Sequence, residues 1–342
     1  MRFSRSALVV TATAALVSAS AIAWASAGDQ AADDIIETDL ITKELPDSSS
    51  PKPLLRVDGI DMKAGEPRLL TGKFSATMSF AKPPNDDDRI DMLMSTWITC
   101  AEGEPAHARP YPDRTALSSR NHEGEGRRTV TSVGLYTPKS DGEYTCIQWA
   151  VGSYTIGPSR SLKPVAGADH TYLRVDGEVH TGGAEWYQKD DKVVRKDDPK
   201  TSTREDKATI LRKDWKAGSG KVKVFHGTQA TAGVAGIAGM DPLVLRTDLV
   251  ATQLSKDGTT KCATATGTDK QSIYQGSTHH LKISRWVELT LSKDPKCSTT
   301  VRVEVRAQYI LTLSGTPNKA GTLHGALSDP LRPYSTALAV NV

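Results

Sequence analysis

The sequence predicts an all-β chain: two tandem antiparallel β-sandwich domains behind an export signal and a short flexible tether. Three observations point there. Short stretches of alternating apolar and polar residues are broken throughout by Gly, Pro, Asn and Asp, the pattern of half-buried strands joined by turns. No segment keeps an amphipathic helical period for three turns. The four cysteines fall as two local pairs, Cys100 with Cys146 and Cys262 with Cys297.

Residues 1–27 have the three parts of a secretory signal in order: basic Arg2 and Arg5, an apolar stretch from Ala7 to Trp24, and small residues Ala25, Ser26 and Ala27 before Gly28. The arginines are not adjacent, so a twin-arginine signal is not expected, and no Cys at the cleavage site marks a lipoprotein. A retained anchor is the competing reading, because the stretch approaches spanning length. After cleavage no membrane insertion is expected. The composition of the signal is similar to that of high-GC Gram-positive bacteria and places the protein in a secreted or wall-associated location.

Residues 28–53 read as a flexible tether, with the acids Asp33, Asp34, Glu37 and Asp39 and the run Pro46–Pro53. Residues 54–180 read as the first sandwich, with strands at Phe74–Phe80, Met92–Cys100, Thr129–Tyr136 and Tyr144–Val151. Residues 181–222 are dense in charge of both signs and read as a linker or long exposed loop. Residues 223–342 read as the second sandwich, with strands at Val244–Thr252, His280–Leu291 and Thr299–Leu311. In the last of these valine alternates with charge, so one face is buried and the other wet. Leu55–Gly59 recurs unchanged at Leu173–Gly177, which suggests an internal duplication, with common Asp-Gly turn chemistry as the competing source.

Without residues 1–27, 41 basic and 40 acidic side chains leave a formal net charge of +1. That balance gives no reason to expect nucleic acid or an anionic membrane as partner. Outside the cell an even number of thiols reads as disulfides, and loops of 46 and 35 residues favour the within-half pairing among three possible connectivities. No C-x-x-C is present for zinc.

Ser140–Cys146 (Ser-Asp-Gly-Glu-Tyr-Thr-Cys) resembles the tyrosine-corner stretch of immunoglobulin-like domains. The resemblance implies that Tyr144 bonds back to nearby backbone and that Cys100 and Cys146 bridge two packed sheets. The chain departs from that family in having no Trp between the two cysteines. The second half lacks the motif.

No catalytic residue is expected. The eight histidines fit no metal spacing, and no nucleophile elbow or S-x-x-K with companion motifs occurs. Paired carboxylates need no local motif and keep a hydrolase open. The run Asn85–Asp88 reads as a solvated turn rather than a calcium loop. No metal or cofactor is expected. Trp97, Trp149 and Trp286 lie in alternating strands and read as core, whereas Trp186, Tyr187 and Trp215 lie among charges and are the candidate ligand-binding platform. The expected function is a secreted, non-catalytic binding or adhesion protein, its partner an extracellular protein or glycan. A secreted polysaccharide hydrolase or its accessory domain is one alternative, a structural spacer the other.

Overall fold

The computed structural model describes residues 34–81, 91–107, 115–123, 126–156, 159–178, 180–188, 192–195, 207–218, 220–232, 243–273, 280–310, 320–324 and 335–342. Outside the described residues lie the signal 1–27, the Asn85–Asp88 run and the Ala-Gly run beyond residue 232.

The described residues form twenty strands, and their pairing falls into two sets of ten. The first set is β1 (Ile35–Glu37), β2 (Leu45–Pro46), β3 (Ser48–Met62), β4 (Arg68–Phe80), β5 (Asp91–Glu102), β6 (Thr115–Glu123), β7 (Arg127–Tyr136), β8 (Gly142–Ile156), β9 (Arg160–Pro164) and β10 (Tyr172–Val175). The second is β11 (Gly183–Tyr187), β12 (Lys192–Arg195), β13 (Lys207–Lys216), β14 (Lys221–Ala232), β15 (Leu243–Ser255), β16 (Lys261–Ile273), β17 (His280–Thr290), β18 (Cys297–Ile310), β19 (Ala320–His324) and β20 (Thr336–Asn341). All pairings between these strands are antiparallel. Among the described residues there is no helix.

In the first set β3-β8-β5-β6 form one sheet. The other is built on β4, which takes β7 along one edge and β10 followed by β9 along the other, with β1 outside β10 and β2 outside β9. The second set has the same plan with every number raised by ten: β13-β18-β15-β16, and β14 between β17 and the pair β20 and β19, flanked by β11 and β12. This shared strand order is the internal repeat. Leu55–Gly59 lies in β3 and Leu173–Val175 in β10, so the recurring pentapeptide does not mark equivalent strands.

Alternation explains the cores. Leu70, Phe74, Ala76 and Met78 of β4 are buried in one cluster with Leu54, Leu55, Met94, Ile98 and Leu162. Val222 and Val224 of β14 meet Leu245, Leu249, Val301, Val303 and Val305 in the other. Each large apolar side chain so buried stabilises the fold by roughly 1.5–3 kcal/mol.

Two segments differ from their expected character. In the tether region Leu45 is buried in the core, and β1, β2 and the start of β3 are paired. Pro51 and Pro53 hid this strand, and β3 holds them at the sheet edge, where its register shifts between Ser48 and Lys52 and between Pro53 and Leu55. Edges and bulges are where a strand tolerates a missing N–H. The segment 181–222 carries β11, β12 and β13. In β13, Leu211 is buried and Trp215 packs on the core, while Arg212 and Asp214 lie on the opposite side. Charge density masked that alternation.

Both disulfides have the expected partners. Cys100 and Cys146, however, lie directly opposite on neighbouring β5 and β8, with Cα atoms 4.1 Å apart. The bond therefore joins two strands of one sheet and does not bridge two sheets as the immunoglobulin-like resemblance implies. The Thr137–Asp141 turn instead carries the chain from the β4 sheet to the β5 sheet, and beside it the Tyr144 hydroxyl donates to the Ser140 carbonyl at 3.0 Å. Ser292–Lys296 makes the equivalent crossing between β17 and β18.

Candidate functional site

The three aromatic residues singled out by sequence do not form an open platform. Trp186 and Trp215 are half-buried and packed on the core of the second set. Tyr187 points the other way from Trp186 along β11, as strand geometry requires, and lies on a cluster of Trp97, Ile147, Trp149 and Val151 from the first set. The exposed tryptophan is Trp286, 39 % accessible and 4.9 Å from the Phe225 ring. It was expected in the core, and its place on β17 explains the difference: Ile283, Val287 and Leu289 take the inward positions and Trp286 alternates out.

An open, charged surface lies on the outer face of β13-β18-β15-β16. Register fixes its layout. Asp214, Arg302, Thr252 and Thr264 form one row; Arg212, Glu304, Val250 and Thr266 the next; Arg306, Asp248 and Thr268 a third. With strands about 4.8 Å apart, the side chains of each row are closely spaced and, Val250 apart, polar. All of them but Asp214 and Thr268 line a shallow depression of about 510 Å³. Arg302 grips Asp214 through two bonds of 2.7 and 2.9 Å, and Arg306 grips Glu304 in the same manner. Arg246 Nε and the Thr268 hydroxyl both donate to Asp248, at 2.9 and 2.6 Å. The bound guanidinium holds Asp214 below the ordinary carboxylate range, and Arg306 does the same to Glu304. Neither acid is therefore poised to donate a proton at neutral pH, which a glycosidase acid must do.

Arg212 and Lys261, by contrast, have no hydrogen-bonded carboxylate among the described residues. Beyond Lys261 a second depression of about 630 Å³ holds Lys256, Lys296 and the half-buried Cys262–Cys297 disulfide. The basic character extends to the whole second set. Residues 181–342 carry 24 Lys and Arg against 16 Asp and Glu, and residues 28–180 carry 17 against 24. A near-neutral total conceals net charges of +8 and −7, and summing each half separately would have exposed the polarity.

The equivalent outer face of β3-β8-β5-β6 is closed. Trp97, Ile147, Trp149 and Val151 are almost fully buried there. Tyr187 covers them, the His107 ring meets Trp149 edge-on at 5.3 Å, and Trp149 Nε1 donates to Thr99 at 2.8 Å. A second apolar contact joins Val133, Leu135 and Leu69 of the first set to Phe225, Leu338 and Val340 of the second. Gly183 is required beside it, since a Cβ there would lie 2.5 Å from Leu135. Between these contacts Glu185 is held by the Leu135 N–H and the Tyr187 hydroxyl, yet burial pushes its carboxyl up to about 8. Burial also brings Lys282 down to about 7 and, with the nearby Lys282 charge, His226 down to about 3. No hydrogen bond joins any two of these three side chains, so they do not make an acid–base pair.

No known protein family and no curated protein matches the chain. Solved structures give distant likenesses. The infectious bursal disease virus Gt strain structure is 9 % identical, with 87 % of this chain and 80 % of that one covered and a TM-score of 0.28. The VP2 subviral particle of the same virus is 9 % identical, with coverage of 93 % and 79 % and a TM-score of 0.27. The N-terminal CBM22-1-CBM22-2 tandem domain of Paenibacillus barcinonensis Xyn10C is 9 % identical, with coverage of 92 % and 100 % and a TM-score of 0.22. Superpositions of this quality carry no argument about function.

Proposed function

We propose that this chain is a secreted, non-catalytic binding protein of two tandem β-sandwich domains that engages glycan at or beyond a bacterial cell wall. The domains correspond to the two sets of strands, and the repeated strand order supports that division. Export is supported by the signal-like residues 1–27 and by two disulfides, which persist in oxidising compartments. Among the described residues no helix is long and apolar enough to cross a membrane.

One observation carries the assignment of the binding surface: of two equivalent sheet faces, one is apolar and buried, with Tyr187 of the second set and His107 of the first packed on it, and the other is an open, charged, threonine-lined depression. Residues 28–342, with disulfides intact, should co-sediment saturably with purified bacterial cell walls or insoluble polysaccharides. The Arg302→Ala/Arg306→Ala double variant should lose that binding while keeping the wild-type unfolding midpoint. Binding retained by the variant would move the site off this face, and binding to none of the materials would remove the glycan reading.

A further inference from the structure

We infer that the ligand of the β13-β18-β15-β16 face is an anionic glycan, a polymer whose carboxylate, sulfate or phosphate groups pair with Arg212 and Lys261 and whose hydroxyls meet the threonine rows. This inference rests on the binding role proposed above and names its chemistry.

Charge comes first. Five cations, Arg212, Arg246, Lys261, Arg302 and Arg306, line the depression against Asp248 and Glu304. Three of the arginines already hold carboxylates of the chain, so they order the surface and leave little positive charge over. Arg212 and Lys261 are exposed and hold no such partner among the described residues. A fixed lattice of paired arginines surrounds Lys261 and Arg212, the latter close enough to Asp214 and Glu304 to feel their charge but holding neither in an ion pair; such a surface is preorganised for an incoming anion, because little side-chain freedom is lost on binding. Lys261 also borders the next depression, where Lys256, Lys296 and Lys261 itself outnumber Asp257 and Asp294 and leave a small positive excess along one end of the sheet. A polymer with repeated anionic groups can follow that line, and the surrounding domain's net charge of +8 draws it in.

The same face argues against other kinds of ligand. Protein interfaces are depleted of charge at their centre, yet charge occupies the middle of this one. Single-stranded nucleic acid and neutral sugars are commonly held by aromatic stacking, and no aromatic residue lines the depression among the described residues. Thr259, Thr264 and Thr266, all exposed, instead offer hydroxyls that both donate and accept, matching sugar hydroxyls.

The test uses the disulfide-intact chain, residues 28–342, with four probes: dextran sulfate, neutral dextran of the same length, duplex DNA, and cell walls before and after acid extraction of their anionic polymers. Dextran sulfate should bind, with affinity falling at least about tenfold between 50 and 300 mM salt as bound counterions are released. Neutral dextran should not bind, DNA should bind at least about tenfold more weakly at equal charge, and extraction should abolish wall binding. Arg212→Gln/Lys261→Gln should weaken dextran sulfate binding and flatten its salt dependence at an unchanged unfolding midpoint. Equal binding of both dextrans, equally tight DNA binding, or an unaffected double variant would overturn the inference. Undiminished binding to extracted walls would overturn it while leaving the binding role standing, whereas binding to none of the four would remove both.

Discussion

The outer faces of β3-β8-β5-β6 and β13-β18-β15-β16 occupy the same place in the repeat and have opposite chemistry. The first presents Trp97, Ile147, Trp149 and Val151 and is covered; the second presents Arg212, Arg302, Arg306 and three threonines and is open. A shared strand order therefore does not require a shared surface. Cores constrain inward positions, and outward positions are free to become either an interface or a binding face. Here one copy is buried, with Tyr187 of the second set of strands packed on it, and the other stays open.

That contrast can be broken by mutation, and the largest effect belongs on the covered face. Trp97→Ala should destabilise the protein by about 3–5 kcal/mol, the range for a large buried aromatic. Chemical denaturation measures this directly, and a cost near zero would mean the face is not closed in solution. The next effect is at the contact that closes it. Gly183→Ala forces a methyl group toward Leu135 and should cost about 1–3 kcal/mol as overpacking. Limited proteolysis should cut between the two sets of strands sooner in that variant.

The interface should also respond to pH through Glu185. Its folded-state value of about 8 lies above the ordinary 4.5, so the folded protein binds this proton more tightly than the unfolded chain. The stabilisation is complete below about pH 4.5 and declines as pH rises to about 8. Discounted for the partial exposure of the residue, the decline amounts to about 2 kcal/mol. Glu185→Gln should remove it, giving a flatter unfolding midpoint between pH 5 and pH 8. An unchanged pH profile would place the carboxyl in solvent.

The smallest effects belong to the open face. Asp214→Ala should change stability by no more than about 1 kcal/mol, as for exposed ion pairs. A larger loss would give the charge lattice a structural rather than a binding role. The two disulfides sharpen the same contrast. Cys262–Cys297 lies half-buried in a depression lined by three lysines and two aspartates, and Cys100–Cys146 is buried in the core. A small dithiol should reduce the former at least about tenfold faster, since exchange depends on access and on a stabilised leaving thiolate. Alkylation of Cys262 and Cys297 ahead of the other pair is the readout.

Much of this was legible in the sequence. Val301, Val303 and Val305 alternating with Arg302, Glu304 and Arg306 announced a strand with one wet face, and that face became the candidate site. The local pairing of the cysteines followed from their spacing. What escaped was long-range: which strands share a sheet, and so whether Cys146 faces Cys100 within a sheet or across two. Alternation also says which side of a strand points outward, not what covers it. It could not separate Trp97 and Trp149, closed by Tyr187, from Trp286, left exposed on β17. β3 was hidden by prolines that an edge strand tolerates, and β13 by charges that an outward face permits.

The most direct test of the account is residue-level labelling of arginine and lysine side chains with and without purified cell walls, read by mass spectrometry. Protection of Arg212, Arg302 and Lys261, with arginines of the first set of strands such as Arg56 and Arg127 labelled equally in both conditions, is the predicted result. Protection confined to the first set, with the β13-β18-β15-β16 face still fully reactive, would contradict it.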